Sequence, residues 1–276
     1  YMSIRFIQMA DPQFGMFSSI SKLTEEEAIS RSREGLTLRY VEQEFDGFAP
    51  ETQLFSKAIR YANEYKPDFV VMCGDMVHEA DSEDQRNELF RITSQLNKDI
   101  PIYWVAGNHD VGNTPTAGTL NAYRELFGKD NYAFQMENYY FIAINSSVCS
   151  DPSLVPGEWD ALIGFLEIEL KKASNMNATH KILFLHHPLF LETSDEPDNY
   201  FVIPFQRRQE IISLLDQNKA SAVFSGHLHR NNYRNIKGIE YVSTGPVGYP
   251  LADDPSGIRI VDLDVTGLRH HYLSLE

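Results

Sequence analysis

Five apolar runs in this chain each end in a short cluster of Asp, Asn, Gln or His, and that recurrence constrains the fold more than any other feature. The runs are Ile4–Met9, Phe69–Cys73, Ile102–Val105, Ile182–Leu185 and Ala222–Phe224. The clusters that follow are Asp11-Pro12-Gln13, Gly74-Asp75, Gly107-Asn108-His109-Asp110, His186-His187-Pro188 and Gly226-His227-Leu228-His229. Short runs rich in Val, Ile and Phe read as buried strands. In an open α/β sheet the carboxyl ends of the strands border one crevice, where ligands bind. Five polar strand ends therefore predict one assembled site, and their Asp, Asn and His content predicts that it holds metal.

Helical patterns alternate with these strands, which argues for α/β layers with largely parallel pairing. Glu51 to Lys66 carries Leu54, Phe55, Ala58, Ile59 and Ala62 along one face. Ser82 to Leu96, Thr119 to Phe127, a segment opened by Pro156 and another opened by Pro204 read as further helices. A hairpin is expected to turn at Glu137-Asn138, and past residue 230 only strand patterns remain. The long polar connection from Phe14 to Pro50 contains a helix start at Thr24, with Glu27 completing a capping box. With 276 residues and no repeat or evident linker, one domain spanning 1–276 and containing two sheets is the economical reading.

Composition narrows the partners. A formal charge of −15 disfavours nonspecific nucleic-acid binding, which needs clustered Lys and Arg, and disfavours attraction to anionic membranes. No run is apolar enough to span a bilayer. The chain opens on Tyr1, so a trimmed N-terminus leaves the compartment open, cytoplasmic or exported after signal removal. Two cysteines make no disulfide framework; Cys73 reads as a small buried hydrophobe, and Cys149 lies in a polar stretch as a free thiol.

The candidate donors are two carboxylates (Asp11, Asp75), two amide oxygens (Gln13, Asn108) and three imidazoles (His186, His227, His229). Mixed N/O sets suit Mn, Fe, Zn or similar ions. Seven donors are too many for one tetrahedral ion and suit two ions sharing a carboxylate. Two ions about 3.5–4 Å apart can hold a bridging hydroxide and clamp an in-line displacement at phosphorus. Such a pair leaves a net positive pocket in an acidic protein, suited to a phosphate anion. His109, between Asn108 and Asp110, is the expected donor of a proton to the leaving group, with Asp110 expected to fix its tautomer.

Asp-x-Gln, Gly-Asp, Gly-Asn-His-Asp, His-x-Pro and Gly-His-x-His, in this order, resemble the motifs of the calcineurin-like metallophosphoesterases, from about Ile4 to the C-terminus. The resemblance implies a four-layer αββα sandwich of two mixed β-sheets flanked by helices. A narrower resemblance, to the calcineurin-like phosphoesterase domain-containing protein 1 group of Ser/Thr phosphatases, rests on Ala10 to Gly15, Gly107 to Thr116, Pro188 to Glu192, Tyr200-Phe201 and Gly226 to Asn231. By that pattern Asp11, Gln13, Asp75 and His229 would hold one ion. Asp75 would bridge, and Asn108, His186 and His227 would hold the second. His186 is preferred to His187 because it fits the His-x-Pro spacing. Gln13 stands where the wider family usually has His, which implies a looser first site that tolerates Mn or Mg.

The implied reaction is hydrolysis of phosphomonoesters, small molecules or phosphoproteins, by the metal-held hydroxide. A phosphodiesterase acting on nucleotides or phospholipid head groups is the rival with the same core. A non-catalytic metal- or phosphate-binding protein with a degraded site is the rival from another class, and Gln13 is its only support. Asn113 and Arg230 adjoin ligand clusters and are expected either to touch phosphate or to serve structural hydrogen bonds. His187 reads as a neighbour packing beside His186, His180 as exposed, and His78 has no assigned role.

Overall fold

The computed structural model describes residues 3–32, 38, 44–251 and 253–276. The chain enters β1 (Ile4–Met9), passes short helices α1 (Met16–Ser21) and α2 (Glu25–Arg31) and the long α3 (Ala49–Tyr65), and returns as β2 (Phe69–Cys73). Then come α4 (Glu83–Thr93), β3 (Ile102–Val105), the single turn α5 (Asn108–Val111) and α6 (Ala117–Phe127). The hairpin β4 (Tyr132–Met136) and β5 (Tyr139–Ala143) leads to α7 (Ser146–Ser150), α8 (Pro156–Asn175), β6 (His180–Phe184), α9 (Phe205–Gln217) and β7 (Ala222–Ser225). Four strands finish the chain: β8 (Asn232–Ile236), β9 (Ile239–Ser243), β10 (Gly257–Asp264) and β11 (Gly267–Ser274).

One sheet has the order β11-β10-β1-β2-β3 and the other β4-β5-β6-β7-β9-β8. Strands β1, β2 and β3 run parallel, as do β5, β6, β7 and β9, whereas the flanking strands pair antiparallel. Both sheets are therefore mixed.

Period-2 alternation sorts each strand between two cores. Phe6, Phe69, Val71, Phe141, Phe184 and Phe224 point into the space between the sheets. Ile7, Met9, Val70, Met72, Ile142 and Leu183 point outward, against apolar faces of α3 (Phe55, Ile59), α4 (Leu89, Ile92) and α8 (Leu162, Leu166). The inner layer is aromatic: the Phe6 ring stacks on Phe69 at 5.0 Å and meets Phe184 and Phe224 edge-on at 5.5 and 5.4 Å. Two sheets face to face with helices outside give the four expected layers.

Local signals mark the elements. Thr24 and Glu27 form the reciprocal capping box of α2, Ser82 caps α4, and Gly128 ends α6 with φ 88°. The hairpin turns through Glu137 at φ 49°. The connection after β1 differs from its polar reading, because α1 buries Met16 and Ile20 against Tyr249 and Leu251. Part of that connection, 33–37 and 39–43, lies outside the described residues. Cys149, expected in a polar stretch, is buried within α7, and His180 is half-buried, its ring nitrogens meeting Ser221 Oγ and the Asp264 carbonyl.

Candidate metal centre

All seven expected donors lie just past the ends of β1, β2, β3, β6 and β7, and all are buried. The backbone there is unusual. Asp11, Gln13, Asp75, His227 and His229 adopt positive φ, between 39° and 68°. The other described non-glycine residues with positive φ, Lys66, Glu137, Asn177, Lys219 and Lys237, sit in ordinary turns or at helix ends. A left-handed residue costs on the order of 1–3 kcal/mol and persists only where the surroundings impose it, often at functional sites. Here it turns the chain sharply after the strand, so that short side chains point back into the crevice.

Main-chain bonds lock these turns to one another. The Asp11 N–H donates to the Gly74 carbonyl at 3.0 Å and the Gln13 N–H to the Asp75 carbonyl at 3.0 Å. The His227 N–H donates to the Asp11 carboxylate at 3.1 Å, and the His109 N–H to Asp75 Oδ1 at 2.8 Å. The turns pack so closely that a Cβ on Gly107 would lie 2.2 Å from Asp75 Oδ1.

Asp75, His186 and His227 offer donor atoms all within 4.8 Å of one another, and so do Asp11, Asp75 and His229. Asp75 is common to both groups. Asn108 Oδ1 lies 3.1 Å from His186 Nε2, which joins it to the first group. Gln13 Oε1 is buried with no hydrogen-bond partner among the described residues.

The tautomers follow from outer contacts. His186 Nδ1 faces the Cys73 carbonyl at 2.8 Å, His229 Nδ1 the Tyr249 carbonyl at 2.5 Å, and His227 Nε2 the Tyr200 carbonyl at 3.3 Å. A carbonyl only accepts, so each of these ring nitrogens carries the proton and donates. The opposite nitrogens face the centre: His186 Nε2 is 3.2 Å from Asp75 Oδ2 and 3.2 Å from His227 Nδ1, and His229 Nε2 is 3.5 Å from Asp11 Oδ1. Orientation of a ligand imidazole by an outer acceptor is usual at metal sites. Converging imidazole nitrogens and carboxylates make two groups that could each hold a metal ion.

Electrostatics agrees. Burial pulls His227 and His229 down to about 3 and about 4, so both are neutral lone-pair donors near neutrality. Burial acts the same way on His186, but the Asp75 and Asp11 carboxylates outweigh it and push it up to about 9. Asp75 is stabilised as the anion: burial opposes this, yet the charges of His186 and His109 hold it well below the usual carboxylate range. Burial lifts Asp11 well above that range. The crevice calls for positive charge.

Asp110 does not do what its place beside His109 suggested. Its carboxylate accepts from the backbone N–H groups of Asp75, Met76 and Gly107 at 2.9, 2.9 and 2.8 Å, which pins the Asp75 turn to the start of α5. The reason is helical geometry: adjacent residues of a helical turn point in different directions. His109 Nδ1 instead donates to the His78 carbonyl at 2.7 Å, leaving Nε2 as its other ring nitrogen. Burial and the nearby Asp75 charge raise Asp110 to about 7.

A cavity of about 540 Å³ adjoins the cluster, lined by Gln13, Asp75, His78, His109, His227 and His229 together with Met16, Ile20, Arg31, Tyr200, Phe201 and others. Asn113, in an exposed turn after α5, and half-buried Arg230 are not among the described lining residues. Tyr200, by contrast, meets Asn108 Nδ2 through its hydroxyl at 3.4 Å and lies with its ring 5.1 Å from that of His227. His187 is a neighbour, as expected, held by the Ser146 hydroxyl at 2.9 Å. Ser146, which also accepts from the His186 N–H at 3.1 Å, had no sequence signal beyond an ordinary serine after a strand.

The family model described as calcineurin-like phosphoesterase matches residues 4–231. The serine/threonine-protein phosphatase CPPED1 of Rattus norvegicus is 32% identical over 277 residues, covering 98% of this chain and 84% of that relative. Among solved structures, the purple acid phosphatase PPD1 from yellow lupin seeds superposes with a TM-score of 0.69 at 14% identity, over 99% of this chain and 52% of its own. A dimetal phosphatase from Danio rerio superposes with a TM-score of 0.63 at 14% identity, over 99% of each chain. At such identities the two structures speak for the fold alone. The chain belongs to the calcineurin-like phosphoesterase family.

Proposed function

We propose that this protein is a two-metal phosphatase that hydrolyses phosphomonoesters, with phosphoserine and phosphothreonine side chains as the substrate class that its relatives' name favours. The observation that carries the reading is the pair of donor groups sharing Asp75, with three imidazoles oriented by backbone carbonyls. Asp11, Gln13, Asp75 and His229 would hold one ion; Asp75, Asn108, His186 and His227 would hold the other. When bound, the ions supply Lewis-acid activation of water and charge neutralisation at phosphorus. The chain supplies the rest. Asp75 brings the two sets of donors to one place, and His227 and His229, neutral through burial, coordinate without displacing a proton.

His109 acts as the general acid. Its Nδ1 is fixed on the His78 carbonyl, and the residue lines the cavity where the leaving oxygen would sit. Tyr200 and Phe201 wall that cavity beside His227. A volume of about 540 Å³ is in the range of small-molecule sites and takes one phosphorylated side chain. Gln13 makes the first site the weaker one, because an amide oxygen is a harder and poorer donor than imidazole; Mn and Mg suit it better than Zn.

The test is metal-reconstituted protein assayed with p-nitrophenyl phosphate, bis-p-nitrophenyl phosphate and a phosphoserine peptide, with Mn²⁺, Mg²⁺ and Zn²⁺ in turn. The monoesters should be the better substrates and Mn²⁺ the better ion. Asp75→Asn should bring turnover to background and remove one of two bound Mn²⁺. Retained turnover in that variant would end the reading, and a preference for the diester would make the protein a phosphodiesterase.

A further inference from the structure

His78, three residues past Asp75, touches two parts of the site at once. Its ring Nδ1 lies 3.2 Å from Gln13 Nε2, its main-chain carbonyl accepts from His109 Nδ1 at 2.7 Å, and its ring stacks on that of His109 at 4.9 Å. The residue is firmly seated. Its own N–H faces both the Phe14 carbonyl at 3.0 Å and Gln85 Oε1 at 2.9 Å, and Gln85 is buried on α4.

A glutamine ligand poses a problem that histidine does not. Its amide has an acceptor at one end and two donors at the other, and rotation by half a turn exchanges them. Presented wrongly, it aims N–H groups at a cation. Something must hold the amide by its nitrogen, and in this chain the group facing that nitrogen is the His78 ring Nδ1, at 3.2 Å. Gln13 Oε1, buried and without a partner, is then the end left for the ion.

We propose that His78 is a positioning residue, whose Nδ1 lone pair takes the Gln13 amide N–H and so presents Oε1 to the first ion, while its carbonyl orients the ring of His109. The proposal rests on the two-metal reading above. It makes Gln13 and His78 one functional pair, in which His78 makes good the exchange of an imidazole for an amide.

The experiment is a double-mutant cycle read by Mn²⁺ affinity rather than turnover, with free Mn²⁺ followed by electron paramagnetic resonance. His78→Phe keeps ring shape and the main-chain carbonyl but accepts no hydrogen bond at that point. It should weaken the weaker of the two Mn²⁺ sites by about 10–100-fold, the usual effect of losing an outer-sphere partner. Gln13→Glu puts oxygen at both ends of the side chain and has no wrong orientation. In that background His78→Phe should change Mn²⁺ affinity by less than about twofold. Equal affinity of His78→Phe and the parent overturns the proposal. So does an undiminished loss in the Gln13→Glu background, which would make the effect general damage. A parent chain that binds no Mn²⁺ at all would instead remove the metal reading beneath it, and the proposal with it.

Discussion

At the residue scale, His109 and Asp110 are neighbours with separate duties. The carboxylate spends its acceptor capacity on three backbone N–H groups, and the imidazole is set by a main-chain carbonyl. General-acid assistance is typically worth about 10²–10⁴ in rate, and most where the leaving group is a poor one. His109→Ala should therefore slow hydrolysis of a phosphoserine peptide by about that factor. It should slow p-nitrophenyl phosphate far less, since p-nitrophenolate leaves without a proton. Equal losses on the two substrates in steady-state assays would deny His109 the acid role.

At the element scale, the strand-end turns carry the site, and their tightness is a packing requirement. Gly107 begins α5 with φ −104°, a conformation open to any residue, so space is what it supplies. An added Cβ would meet Asp75 Oδ1 at 2.2 Å and the Asp75 nitrogen at 2.3 Å, both fixed by hydrogen bonds. Overpacking of this kind costs roughly 1–3 kcal/mol, and here it moves the shared carboxylate. Gly107→Ala should lower the free energy of unfolding in urea by that amount and abolish turnover at ordinary metal concentrations. Full activity with unchanged stability would show that the turn can yield. The single helical turn of α5 was legible only as a polar string, because four residues are too few to display a helical period.

At the scale of the whole molecule, the centre exists because two face-to-face sheets bring the carboxyl ends of their parallel strands to one place. Asp11, Asp75 and Asn108 come from the first sheet, His186, His227 and His229 from the second. Bonds across the join include His186 Nδ1 to the Cys73 carbonyl and the His227 N–H to Asp11. Behind them Phe6, wholly buried, touches aromatic rings of both sheets. Truncating such a ring costs about 3–5 kcal/mol. Domains of this kind have only about 5–15 kcal/mol to lose. Phe6→Ala should show that loss in urea unfolding followed by circular dichroism; a change under about 1 kcal/mol would mean that the sheets are held by other contacts. No helix among the described residues is long and apolar enough to cross a membrane.

Much of this was readable from residue order. Apolar runs of period 2 or of continuous burial mark strands, and Asp, Asn and His recurring at five strand ends point to one site where any single cluster could be a turn. The strand-end donors and the helix caps at Thr24 and Ser82 followed from residue type and spacing, whereas the mixed sheets and the sharing of Asp75 were implied by the family resemblance. The partners of those donors did not. The groups that orient His186, His227, His229 and His109 are carbonyls of Cys73, Tyr200, Tyr249 and His78, and every residue owns a carbonyl, so no letter marks which one will serve. The pairings also join residues as far apart as Cys73 and His186, or Asp11 and His227, whose proximity depends on how the two sheets stack. Side-chain chemistry is written locally, one residue at a time, whereas main-chain geometry at long range comes into being only when the chain closes on itself.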